Sequence, residues 1–166
     1  MKFGRASIAA LGLIGMTSAV AAEQINIPAV SFVLRTAAAS GDVAGEGGLG
    51  LLQNATGKYY APVILPLAGA KVCRFSLVYR DFDEANITAT LLKKTYVVGG
   101  SAFTAPVVMA ALQSVGAVDA VRRNTTVAIA QRTVSVARTF YYVELNVPAT
   151  LLQVMGVEII TQPTCP

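Results

Sequence analysis

A chain of 166 residues with no histidine, no tryptophan and two cysteines excludes much before any pattern is read. Without imidazole there is no Ser-His-Asp or Cys-His catalysis and no histidine-based metal site. The balance of 13 Lys+Arg against 9 Asp+Glu is too even to mark a nucleic-acid partner, while 54% hydrophobic residues imply a sizeable core and a partly apolar surface.

Taken in chain order, Met1–Arg5 carries Lys2 and Arg5, Ile8 to Val20 is uncharged and mostly apolar, and Val20-Ala21-Ala22 supplies small residues. This is the layout of a bacterial-type secretory signal peptide over residues 1–22, cut after Ala22. The apolar run falls short of the roughly 20 residues of a spanning helix, and no other segment is long and apolar enough to be one. The expectation is a single secreted or periplasmic domain over residues 23–166. Losing Lys2 and Arg5 lowers Lys+Arg from 13 to 11 and the net charge from +4 to +2.

Ile25 to Leu34 reads as a strand interrupted at Pro28, hence an edge. Gly45 to Gly50 (GEGGLG) spells the dinucleotide pattern G-x-G-x-x-G. That pattern works only after a strand, at the start of a helix, with an acid about 20 positions further on. Here a loop-like Ala37–Asp42 precedes it, Leu49 to Ala55 reads at most as a strand, and no acid lies between Glu46 and Asp81. The stretch is a surface loop.

Tyr59 to Leu65 is a strand closed by Pro66 and the Ala68-Gly69 turn. Lys71 to Asp81 alternates, with Cys73, Phe75, Leu77 and Tyr79 opposite Arg74, Ser76 and Arg80. Asn86 to Val98 puts Ile87, Ala89 and Leu91 on one face. Ala105 to Val121, rich in Ala, Met, Leu and Gln, suggests a short helix, and Val127 to Val136 gives only a weak strand signal. Thr139 to Val147 sets Tyr141, Val143, Leu145 and Val147 against Glu144 and Asn146. Met155, Val157 and Ile159 alternate with Gly156, Glu158 and Ile160. About seven to nine short strands with turns between them predict an all-β fold, an antiparallel, jelly-roll-like β-sandwich.

Candidate chemistry is sparse. No S-x-x-K occurs for a serine–lysine acyl enzyme, and Glu144 and Glu158 read as surface acids rather than a glycosidase pair. Asp81-Phe82-Asp83-Glu84 places three carboxylates within four residues, enough to hold Ca²⁺ with help from backbone carbonyls. It is not an EF-hand, since the sixth position is Asn86 and the twelfth Leu92. The competing expectation is a turn in which Asp and Asn bond their own backbone. Lys93-Lys94 and Arg122-Arg123 read as solvated pairs. The sequons at Asn54, Asn86 and Asn124 are expected to be bare in a bacterial pathway. Cys73 and Cys165 lie too far apart for a redox or metal pair, so they are expected to form a disulfide. Closing so long a loop is worth roughly 4 to 5 kcal/mol in the chain-entropy model.

Tyr60-Ala61-Pro62-Val63-Ile64-Leu65-Pro66-Leu67-Ala68-Gly69-Ala70, followed by a strand ending Tyr79-Arg80-Asp81, resembles a block in uncharacterised exported bacterial β-sandwich proteins. There an A-P-V-x-L-P-x-G-A strand and turn lead into a strand ending Y-x-D. Leu152 to Ile159 is similar to the closing L-x-x-x-G-V-x-I strand of that group. Here Leu67-Ala68 stands where the group has one, usually polar, residue. The resemblance implies fold and compartment and carries no catalytic motif.

Two functions of different class follow. One is an exported non-enzymatic structural or interaction module that self-associates or binds another surface protein through an apolar sheet face or strand edge. The other is a glycan-binding module, calcium-assisted through Asp81 and Asp83, in which Tyr59, Tyr60, Tyr96, Tyr141 and Tyr142 supply stacking surface in the absence of tryptophan.

Overall fold

The structure is a computed structural model that describes residues 22–34, 42–44, 51–53, 56–65, 68–99 and 102–166. The expected signal peptide up to residue 21, the GEGGLG stretch and the Asn54 sequon lie outside the described residues. The strands are β1 (Glu23–Pro28), β2 (Val33–Leu34), β3 (Asp42–Ala44), β4 (Leu51–Gln53), β5 (Gly57–Val63), β6 (Lys71–Asp81), β7 (Thr88–Thr95), β8 (Val107–Gln113), β9 (Val118–Thr126), β10 (Thr139–Val147) and β11 (Leu152–Gln162).

They form two antiparallel sheets. One runs β3-β4-β11-β6-β9, with β1 also paired to β11, and the other runs β2-β5-β10-β7-β8. From β4 onward every connection except β7–β8 carries the chain from one sheet to the other. That wrapping is jelly-roll-like. Pro28 ends β1, and a 3-10 turn at Ala29–Ser31 then carries the chain from the first sheet to β2 in the second.

The core lies between the sheets and is built by alternation. Phe75 and Leu77 of β6, Ala89 and Leu91 of β7, Val143 and Leu145 of β10, and Ile159 of β11 are all fully buried. Two bulges modify the period of two. The β6–β11 register slips between Val154 and Gly156 and again between Ile160 and Thr161. Met155 and Cys73 are left without cross-strand partners, and Val154 and Val72 take the core positions that strict alternation assigned to them. An inserted residue reverses the facing of everything beyond it.

The helix expected over Ala105–Val121 is absent. Its residues form β8 and β9, which pair with β7 and β6, around a turn where Gly116 has φ +72°. Helix propensity amounts to tenths of a kcal/mol per residue, and burying Met109, Ala110 and Leu112 in the core between the sheets outweighs it.

Hydrogen bonds close the two ends of the sandwich. At the tip, where β5 and β7 end and β6 and β10 begin, the connection between β9 and β10 is tied to both sheets. Gly69 N–H donates to Val134 O (2.9 Å), Val134 N–H to Ala70 O (2.7 Å) and Val72 N–H to Arg132 O (2.8 Å). The buried Tyr141 hydroxyl accepts from Ser135 N–H (2.8 Å) and donates to Ser135 O (3.1 Å), a clasp like the tyrosine corner of other sandwiches. At the base, Tyr79 Oη accepts from Val115 N–H (2.9 Å) and Ser114 Oγ from Ile87 N–H (2.8 Å). Along the β8–β9 side, Asn124 Nδ2 donates to Gln113 O and Ala130 N–H to Met109 O. In the first sheet, Cys73 in its bulge is bridged to Cys165 beyond β11, with Cα atoms 5.2 Å apart. That separation suits an undistorted disulfide.

Candidate ligand-binding face

The outward positions of the second sheet follow from its register. Tyr60, Glu144 and Thr90 form one row across β5, β10 and β7. Lys58, Asn146 and Thr88 form the row toward the base, and Pro62, Tyr142 and Leu92 the row toward the tip. Each alternates with a core residue, since Tyr59, Val143 and Leu145 point inward.

A compact cluster occupies the middle of this face. Tyr60 Oη donates to Glu144 Oε2 (2.6 Å), and Lys58 Nζ donates to Glu144 Oε1 (3.3 Å). The rings of Tyr60 and Tyr142 lie 5.9 Å apart, tilted by 40°. Lys94 Nζ stands 6.0 Å from the Tyr142 ring centre, a cation–π contact on a half-buried ring. Glu144 is thus a partnered, half-buried acid, which period-two reasoning could not foresee.

Toward the tip the face becomes aromatic and apolar. Phe140 packs edge-to-face on Phe103 (5.4 Å) and Phe103 on Tyr96 (5.7 Å). All three are exposed. Tyr96 and Phe103 form a β-bridge beyond the end of β7, braced by Thr104 N–H to Thr95 O (2.9 Å) and Tyr96 N–H to Arg138 O (2.8 Å). Beside them β5 stops at Val63 while β10 begins two residues earlier in register, at Thr139. The gap is a cleft of about 320 Å³ lined by Pro62, Ile64, Val136 and Phe140 among others. One signal of this ladder was legible. Phe140 breaks the alternation of Thr139–Val147, being aromatic where the pattern calls for polar. Phe103 and its partners were not legible, because long-range register brings them together.

The acidic stretch behaves differently from a solvated cluster. Asp81 is fully buried at the end of β6, where the β6–β9 register slips, whereas Asp83 is half-buried and Glu84 exposed. Asp81 Oδ1 accepts from Asp83 N–H (3.1 Å) and Asp83 Oδ1 from Ala85 N–H (2.9 Å), the self-bonded turn expected as the alternative to a metal site. Asp81 Oδ2 is buried without a hydrogen-bond partner. Among the described residues no three Asp, Glu or Cys side chains come together as a metal-holding group.

Glu144 and Glu158 lie on the outer faces of different sheets and so do not flank a common cleft. Glu158 is paired with Arg123 (2.7 Å). Arg122 donates instead to Val115 O (2.8 Å), so the adjacent arginines make no joint patch. Arg80 pairs with Asp119 and lies over the Phe82 ring.

No protein-family model matches the sequence, and no curated protein sequence does. Among solved structures the chain is similar to the CBM22-1 and GH10 modules of endo-1,4-β-D-xylanase 10B from Clostridium thermocellum, determined with xylohexaose. The identity is 12% and the TM-score 0.44. The match covers 87% of this chain and 28% of that one, so this chain spans little more than a quarter of the other's length.

Proposed function

We propose that the protein is an exported, non-enzymatic recognition module, and that the outer face of the five-stranded sheet is its contact surface. The Tyr60–Tyr142–Glu144 cluster carries this reading. It gathers two partly exposed rings, a carboxylate and the ammonium groups of Lys58 and Lys94 on rigid, centrally placed strands. Export is supported by the Cys73–Cys165 bridge, since disulfides persist in oxidising compartments.

The ligand class this cluster fits best is a glycan. Sugar rings stack their C–H faces on tyrosine, while their hydroxyls exchange hydrogen bonds with carboxylates, ammonium groups and amides of the kind that Glu144, Lys58 and Asn146 provide. Calcium has no role in this reading: Asp81 is buried in the first sheet, and the outer face of the second is complete without it.

Glycan-array screening followed by calorimetry on the hits tests the assignment. Tyr142→Ala should weaken binding by about tenfold or more, the size expected of an aromatic anchor, with unchanged thermal stability. Binding that is indifferent to Tyr60→Ala and Tyr142→Ala, or no glycan bound at all, would overturn it.

A further inference from the structure

The two ends of the sandwich differ in charge and polarity. At the tip, Ile64, Tyr96, Val98, Phe103, Val136 and Phe140 are each more than 40% exposed, with Ile64 at 86% and Val98 at 60%. Phe140 is the second residue of β10, and the others sit on the connections that leave or enter β5, β7 and β10. Lys71, Lys93, Lys94, Arg132 and Arg138 lie at the same end, on the first residue of β6, the last residues of β7 and the β9–β10 connection. Among the described residues the only acid there is Glu23, at the start of β1. The base carries Asp81, Asp83, Glu84 and Asp119 beside Arg80 and Arg122, so acids predominate there.

We propose that the tip docks on an anionic lipid bilayer, with Tyr96, Val98, Phe103 and Phe140 entering the headgroup region and the flanking lysines and arginines meeting the lipid phosphates. Charge complementarity selects this occupant. An apolar patch ringed by cations, with Glu23 the one acid among the described residues at that end, suits an anionic interface, where basic residues add attraction and aromatic rings settle at headgroup depth. The base, where acids outnumber cations, gains no such attraction, so the molecule is oriented by its own charge distribution. The geometry is also suitable. The aromatic ladder stands on a hairpin extension of β7 in which the N–H groups of Thr95, Tyr96 and Thr104 and the Thr95 C=O already have partners, so none of these is stranded on entering the interface.

This surface borders the Tyr60–Glu144 cluster at Lys94, which lies over the Tyr142 ring, so the test leaves Lys94 in place. Because the chain has no tryptophan, a single one reports on its own surroundings. Val98→Trp and Phe103→Trp place it on the tip, and Leu151→Trp places it at the base, where Leu151 is 57% exposed. With vesicles of equal parts phosphatidylglycerol and phosphatidylcholine, both tip reporters should shift to the blue and be quenched by brominated acyl chains, and the base reporter should do neither. Lys93→Gln with Arg138→Gln should lower the apparent vesicle affinity of the tip reporters by about ten- to thirtyfold, and raised salt should act in the same direction. Equal shifts at tip and base, equal shifts on pure phosphatidylcholine, or no shift on any vesicle would each overturn the proposal. So would a stable oligomer in solution that Phe140→Ser dissolves, since the patch would then belong to a second copy of the chain.

Discussion

Gly156→Ala tests how closely β1 is laid against the sandwich. Gly156 sits on β11 between Val78 of β6 and Pro28 of β1, one residue past the bulge at Met155. A Cβ there would stand 2.7 Å from Ile27 O, 3.4 Å from Pro28 Cα and 3.5 Å from Ile27 C. All three are backbone atoms, so no side-chain rotation makes room and β1 itself must move. Alanine narrows the unfolded ensemble, which stabilises by about 0.4 to 1 kcal/mol. Overpacking costs about 1 to 3 kcal/mol. The net expectation is a loss of about 1 to 2 kcal/mol. If β1 detached altogether, uncovering the Ile27 side chain would add about 1.5 to 3 kcal/mol more. Urea denaturation gives the total, and amide hydrogen exchange locates it: Ile25 and Ile27 should lose protection while Phe75 and Leu77 keep theirs. An unchanged or raised urea midpoint would refute the reasoning, as would undiminished protection in β1.

Other substitutions probe the core, the clasps and the staple. Phe75→Ala should cost about 3 to 5 kcal/mol in chemical denaturation, as a cavity between two sheets does; a cost below about 1 kcal/mol would place Phe75 outside the core. Tyr141→Phe strips the Ser135 N–H and C=O of their partner and should cost about 1 to 3 kcal/mol in the same assay. Cys73→Ser with Cys165→Ser should lose about 2 to 5 kcal/mol, the loop-closure figure being the upper end, and non-reducing peptide mapping of the parent chain should recover the linked pair. Burial raises the Tyr59 phenol above its ordinary value of 10.0. The unfolded chain therefore ionises first, so this residue's contribution to stability should be flat below pH 10, fall as pH rises beyond it, and disappear from a Tyr59→Phe comparison.

The sandwich was legible in the sequence because one face of each long strand is apolar. Phe75, Leu77, Val143, Leu145, Val157 and Ile159 were assigned inward, and all six are buried. Departures arise where an extra residue enters the count. Nothing in VCRF or VMGV announces a bulge, so Cys73 and Met155 were given the facings that Val72 and Val154 hold. The helix expected over Ala105–Val121 failed because propensity is a weak preference, and pairing with β7 and β6 together with core burial overrode it. The Tyr60–Glu144 contact joins residues 84 positions apart. Only register brings them together, and period-two reasoning sets a residue's face without naming its neighbour.

The Asn124 and Ala130 contacts along the β8–β9 side have a consequence for chains crowded together at high concentration. β8 borders its sheet, and an unguarded border offers a row of acceptors on which another chain can template itself. Here Met109 O and Gln113 O are already occupied by Ala130 N–H and Asn124 Nδ2. The opposite border, β2, is two residues long. In the other sheet β9 carries Arg122 and Arg123 and a register break at Arg80–Asp81. Growth into a fibre by strand addition therefore finds no long, unbroken starting row on these borders, so the greasy surface can be presented to a partner without also seeding precipitation.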